Sequence, residues 1–244
     1  MQLPAIEDKV KFRPNSDKHY VPDLEYGEFW RAFYVFLRKN FEISQPIFGD
    51  LKEKINPYFG NFGTRFQPVS KTPHYFHLGI DISSPSKTRV TPIANGVLEY
   101  AGFGSINGNY VFLSHPEITT EDGFTMCSLY IHLKKYKVRF GAHQKMLRKI
   151  SFNKYPTIKI AKDTHIGDVG STGNASGTHS HLHLQIEFRN ESGKIIVVNP
   201  ASILNIPTFD NLTKDIKDEE DFKNFFEQNK KQIKDFKVEN YWRV

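Results

Sequence analysis

Residues 176–188, SGTHSHLHLQIEF, alternate between two kinds of side chain. His179, His181, His183, Gln185 and Glu187 fall on one parity, and Ser180, Leu182, Leu184, Ile186 and Phe188 on the other. A β-strand sends successive side chains to opposite faces, so the pattern predicts a half-buried strand with an apolar core face and an imidazole-rich outer face. From Gly27 to Phe41 the period changes. Phe29, Trp30, Phe33, Leu37 and Phe41 recur at spacings of one, three and four, which predicts one stripe of an amphipathic helix. Pro46 and Asn56-Pro57 break it.

Between about Phe59 and Leu204 short β-like runs, Val97 to Ala101, Asn109 to Ser114 and Thr125 to Leu133, are separated by Gly, Pro and Asn. This spacing predicts an antiparallel sheet rather than alternating βα units. Residues 1–22 read as irregular. Beyond Pro207 the chain is highly charged, with Phe222, Phe225, Phe226, Ile233 and Phe236 at mostly helical intervals. The expected organisation is therefore mainly β with helical extensions (α+β): an N-terminal extension with an amphipathic helix (1–58), a β domain (59–205) and a charged helical tail (206–244).

With 244 residues, the chain is long enough for a sizeable core, and no run of about 18 apolar residues suggests a membrane span. The first residues lack the charged-then-apolar pattern of a signal peptide, so the expectation is a protein that stays inside or whose leader is already absent. Cys127 is the single cysteine, which excludes an internal disulfide and a multi-cysteine zinc cluster, leaving His, Asp and Glu for any metal. The net charge of +6 is unevenly placed: ten basic residues and no acid lie between Lys134 and Lys162. Such a run is either a solvated surface or an arm that faces an anion.

Three histidines on one face suit a metal or an acid–base site, although they also suit a merely polar surface. A metal needs further ligands. The stretch HYFHLGIDISSP offers them, since His77 and Asp81 share a parity in a strand and Gly79 argues against a helix. A His and a carboxylate on one strand with a His from another supply three N/O ligands and leave one position open, as in catalytic zinc sites.

Taken together, FGTRFQP, HLGIDISSP, VTPIANGVLEYAG, GNYVFLSHP, LYIHL, IGDVGSTGNASGTHSHLHLQI and VNPASIL, in that order, resemble the lysostaphin-like, or LytM-type, zinc metallopeptidases that cut peptide bonds in bacterial peptidoglycan. The resemblance implies an antiparallel core of that type, with a groove holding one Zn2+ per chain. It makes His77, Asp81 and His183 the zinc ligands and His132 and His181 the catalytic residues. His181 would receive the proton of the attacking water, and His132 would donate to the developing oxyanion. Location in the periplasm, the cell envelope or outside the cell is also implied. The family's catalytically dead relatives, which regulate a cell-wall amidase, are the alternative; they have typically lost ligands that this chain keeps.

His179 is unexplained by the family pattern and is expected to be an exposed edge residue, a rim residue or an alternative ligand. His19, His74, His115, His143 and His165 fit no ligand position and are expected on the surface or in loops. Gly170, Gly173 and Gly177 are expected to shape the turn that enters the His strand. Residues 146–163, MLRKISFNKYPTIKIAKD, interrupt the family pattern where only a few residues are usual. Peptidoglycan peptides are the expected partners, with anionic wall polymers as candidates for the basic stretch 134–162. Nucleic acid is not favoured, because few aromatics interleave with the basic residues. The N-terminal segment is expected to brace the domain rather than cover the groove.

Overall fold

A computed structural model describes residues 1–13, 18–51, 54–55, 60–65, 75–138 and 158–206. The expected C-terminal helices, and most of the 146–163 insertion, lie outside these residues.

A sheet of nine strands forms the centre. Five of them surround the site: β5 (Ile80–Ser83), β7 (Gly96–Gly104), β8 (Gly108–Thr119), β9 (Thr125–Leu133) and β13 (His181–Arg189). The order β13-β9-β8-β7 is antiparallel throughout, as long hairpin-connected strands favour. β14 (Ile195–Val198) pairs with the C-terminal half of β13, while β5 pairs with its N-terminal half, so β13 is flanked along its whole length.

Residues 1–22 correct the expectation of irregular chain. β1 (Val10–Phe12) and β2 (His19–Pro22) extend the central sheet, β2 running parallel to β14. These strands are short and lack clean alternation, which is why pairing to distant residues rather than local pattern defines them. Two smaller sheets complete the architecture: β3 (Gly63–Arg65) with β4 (Tyr75–His77), and β10 (Lys135–Tyr136), β12 (Gly167–Asp168) and β6 (Arg89–Val90). The remaining strand, β11 (Lys159–Ile160), adds to the free edge of β7.

The apolar parity of β13 behaves as its pattern requires. Leu182, Leu184, Ile186 and Phe188 are fully buried, each such side chain contributing roughly 1.5–3 kcal/mol. Helix α1 (Gly27–Asn40) buries Trp30, Phe33, Tyr34 and Leu37. The Phe33 ring meets Phe188 edge-on at 5.6 Å, which places α1 against the face of β13 opposite its histidines. The Arg38 guanidinium donates to the Ser202 carbonyl of the short helix α2 (Pro200–Ile203), where Asn199 caps the first turn by accepting from Ala201 N–H.

His115 is not the surface residue expected. It is fully buried on the core parity of β8, beside Val111 and Leu113. One ring nitrogen lies 2.8 Å from the Asn95 carbonyl and the other 2.8 Å from Ser128 Oγ; that hydroxyl reaches Tyr130 Oη, which accepts from Ile93 N–H. Burial pushes the His115 imidazole down to about 4. The unfolded chain, titrating near 6.5, takes up a proton that the folded chain refuses, so stability is lost as pH falls from about 6.5 towards 4. The full effect is on the order of 3 kcal/mol. Urea midpoints measured across this range should fall more steeply for wild type than for His115→Gln; parallel pH profiles would remove His115 as a cause.

Candidate active site

His183 lies directly opposite Asp81 across the β13–β5 pair, and His181 opposite Ser83. Opposed residues of paired strands point to the same face, so the register alone brings the carboxylate to the imidazole. His183 Nδ1 is 2.9 Å from Asp81 Oδ1. His77 arrives from β4, and it is 2.9 Å from His183 Nδ1 and 3.3 Å from Asp81 Oδ1 through its Nε2. The single strand expected for HYFHLGIDIS is in fact two, broken at Leu78–Gly79, because β4 pairs with β3 whereas β5 pairs with β13.

The segment ahead of β3 fixes this corner. The Asn61 carbonyl is 2.8 Å from His77 Nδ1, and the Gly60 carbonyl accepts from Asp81 N–H at 2.8 Å. A ring nitrogen facing a carbonyl must carry the proton, so His77 holds its lone pair on Nε2, towards Asp81 and His183. His77 is 2% exposed, so this orientation is not free to relax into water. The candidate ligand atoms of His77, Asp81 and His183 all lie within 4.8 Å of one another. Tetrahedral ligands bonded at about 2.0 Å sit roughly 3.3 Å apart, so the donor set fits a zinc ion with small adjustments.

Gly79 serves this geometry in a way its lack of helix propensity did not reveal. A Cβ there would stand 2.3 Å from the Leu184 carbonyl oxygen and 2.8 Å from His183 Nε2. Only a residue without a side chain lets β13 and the His183 ring come this close.

His132 reaches the same space by a different device. Regular alternation would put it on the core parity of β9 with Ser128 and Tyr130, since Ile131 is the residue opposite His183. Instead the β8–β9 pairing slips by one residue between Asn109↔Leu133 and Val111↔Tyr130, and His132 adopts φ +62°. A bulge with a left-handed residue re-aims the side chain, at a cost of about 1 kcal/mol or more. The ring then lies 5.1 Å from His181 and 5.8 Å from His183, centroid to centroid. Burial, then the neighbouring His181 and His183 charges, pushes His132 down to about 4.

His181 Nδ1 is 3.0 Å from the His179 carbonyl, leaving its Nε2 on the side of Asp81 Oδ1, 3.9 Å away. His179 precedes the strand and is half-buried rather than exposed. Its ring stacks on His181 at 5.1 Å, and its Nε2 is 3.3 Å from Ser83 Oγ. Burial also lowers its pKa to about 4, the His181 charge adding to the effect. Of the other histidines, His165 sits 2.7 Å from the buried carboxylate of Asp168, away from the cluster.

The basic stretch is less uniform in space than in sequence. Asp168 Oδ2 lies 3.6 Å from Lys135 Nζ and 3.8 Å from Lys137 Nζ, and Lys162 pairs with Glu42. Acids from elsewhere in the chain thus offset part of its charge; Arg139 to Lys154 fall outside the described residues.

The family model described as peptidase family M23 matches residues 75–152, a stretch that includes His77, Asp81 and His132. The matched stretch spans about a third of the chain. Among similar proteins, an uncharacterized metalloprotease of Buchnera aphidicola subsp. Baizongia pistaciae is 28% identical over 155 residues, covering 63% of this chain and 31% of that one. The peptidoglycan DD-endopeptidase ShyC of Vibrio cholerae is 25% identical over 128 residues, covering 52% and 24%. The DD-carboxypeptidase/endopeptidase Mpg of Neisseria meningitidis is 29% identical over 147 residues, covering 60% and 26%. The chain thus matches only about a quarter to a third of the length of these relatives. Among solved structures, lysostaphin from Staphylococcus simulans aligns with TM-score 0.42 at 22% identity, over 67% of this chain and 55% of that one. A zinc-containing peptidase from Vibrio cholerae aligns with TM-score 0.43 at 18% identity, over 67% and 41%. Among the described residues no helix is long and apolar enough to cross a membrane.

Proposed function

We propose that this protein is a zinc-dependent endopeptidase of bacterial peptidoglycan, acting on cross-links or stem peptides in the cell envelope. The observation that carries this reading is the convergence of His77 Nε2, Asp81 Oδ1 and His183 Nδ1 on one point, with two further imidazoles beside them. The M23 match and the peptidoglycan-acting names of similar proteins support the substrate class. His77, Asp81 and His183 would hold the metal. A bound zinc supplies Lewis acidity that polarises a carbonyl and lowers the pKa of water to about 7.

The protein's own residues handle the protons. With Nδ1 committed to the His179 carbonyl, His181 in its neutral form presents Nε2 as an acceptor into the site. His132, with Nδ1 committed to the Thr172 carbonyl, does the same. Either ring is therefore built to accept a proton first. His132 can donate to an oxyanion only from its protonated form, which ties the donor role to a preceding proton transfer.

Digestion of purified peptidoglycan from several bacterial types, followed by mass analysis of the fragments, tests activity and bond choice together. Metal-reconstituted protein should release peptide fragments that chelator-treated protein does not. No release from any sacculus by zinc-loaded protein would overturn the proposal.

The Gly79 contact gives a more local expectation. Gly79→Ala forces β13 or the His183 ring to move, and zinc affinity should fall by roughly 10- to 100-fold, as when a ligand's supporting contact is removed. Competition with a chromogenic chelator measures it, and unchanged affinity would show that the close approach is not needed for binding.

A further inference from the structure

We propose that Thr172 is the positioning residue that holds His132 in its left-handed bulge and aims its Nε2 into the site. The proposal rests on the reading of His132 as a catalytic residue. Thr172 lies in the segment that enters the His strand, just before the Gly173–Ala175 turn. Each of its polar groups is spent on the end of the β8–β9 hairpin. The carbonyl lies 2.9 Å from His132 Nδ1, and the N–H donates to the His132 carbonyl at 3.4 Å. The hydroxyl donates to the Leu133 carbonyl at 2.8 Å and accepts from Asn109 N–H at 2.9 Å.

Those two hydroxyl contacts meet the hairpin where its register slips. Asn109 and Leu133 form the paired residues immediately beyond the bulge. Asn109 Nδ2 adds bonds to the Leu133 and Lys134 carbonyls at 3.2 and 2.9 Å, and His132 N–H donates to the Asn107 carbonyl at 3.0 Å. The bulge would otherwise leave these backbone groups without a ladder partner. Gly108 permits the approach: a Cβ there would stand 2.1 Å from Thr172 Oγ1. One side chain thus locks both strands of the bulge, while the carbonyl of the same residue selects the His132 tautomer. Serine can make the same hydroxyl bonds, and alanine can make none of them.

The test compares Thr172→Ala and Thr172→Ser with wild type in the full chain, reconstituted with zinc. Three readouts are taken: zinc content, kinetics on a peptidoglycan-derived peptide, and the His132 tautomer from long-range 1H–15N correlation spectra. Thr172→Ala should keep its zinc and its KM while kcat falls roughly 30- to 100-fold, the scale of a misplaced catalytic group. Its His132 signal should change from a single Nδ1–H form to a mixture. Thr172→Ser should restore both readouts, and it keeps the test open if the alanine variant does not fold, since loss of activity in a folded serine variant would itself overturn the proposal. Wild-type kcat and an unchanged His132 tautomer in Thr172→Ala would also overturn it, while leaving the peptidase reading intact. A wild-type protein that binds zinc but cleaves nothing would instead sink the peptidase reading, and the tautomer readout would still decide whether Thr172 sets the ring.

Discussion

His183→Ala protein should emerge from zinc reconstitution with almost no bound metal, where wild type carries about one equivalent. His183 sits at the centre of the candidate donor set, with its Nδ1 2.9 Å from both His77 Nε2 and Asp81 Oδ1. Removing its ring leaves only two donors of the set, His77 Nε2 and Asp81 Oδ1, 3.3 Å apart. The fold should survive, because His183 is on the face of β13 opposite the fully buried Leu182 and Leu184. Elemental analysis gives the metal content, and circular dichroism with a thermal melt verifies folding. A folded His183→Ala protein with full zinc occupancy would remove His183 from the ligand set.

The clustering of His77, Asp81 and His183 was partly legible in the sequence, since alternation and a local spacing suggested a His and a carboxylate near the His strand, and the family resemblance singled out His183. The apolar parity of β13 predicted a strand, and the structure buries Leu182, Leu184, Ile186 and Phe188 completely. The spacing of His77 and Asp81 also pointed to side chains that lie together in space, although the strand between them is broken. What alternation could not supply is the placement of His132. Its parity in β9 points to the core, and only a register slip with φ +62° turns it towards His181. Backbone conformation of that kind is decided by partners far along the chain, here Asn107 and Thr172. The Asn61 carbonyl that orients His77 was hidden for the same reason, because a main-chain acceptor leaves no residue-type signature.

Other departures did leave a signal. His115 continues the parity of Val111 and Leu113 in β8, so an alternating reading extended to the end of that strand places it in the core. The strands near the N-terminus could not be reached this way. β2 is four residues long and is defined by its parallel pairing to β14, more than 170 residues away in sequence. The basic stretch illustrates the reverse case: an acid-free run in sequence acquires acids in space, since Asp168 and Glu42 come from outside it.

Separating catalyst from ligand requires the two flanking imidazoles. His132→Ala and His181→Ala should each retain zinc, since neither ring belongs to the three-donor cluster. Both should lose hydrolysis by roughly 10²- to 10⁴-fold, the range for removing a positioned acid–base group. The two losses should not multiply in the double variant. Each neutral ring offers an acceptor Nε2 to the same space, so on the proposed roles the pair would pass protons as a unit, and groups that act as a unit are strongly non-additive. Single-turnover rates of the two single variants and the double variant, each at measured zinc occupancy, make the comparison. A His181→Ala protein that loses zinc as readily as His183→Ala would make His181 a ligand and move the proton-accepting role to His132. His179→Ala is the control for ring stacking: its carbonyl, which orients His181, remains, so hydrolysis should stay within about threefold of wild type, well below the loss expected for an acid–base group.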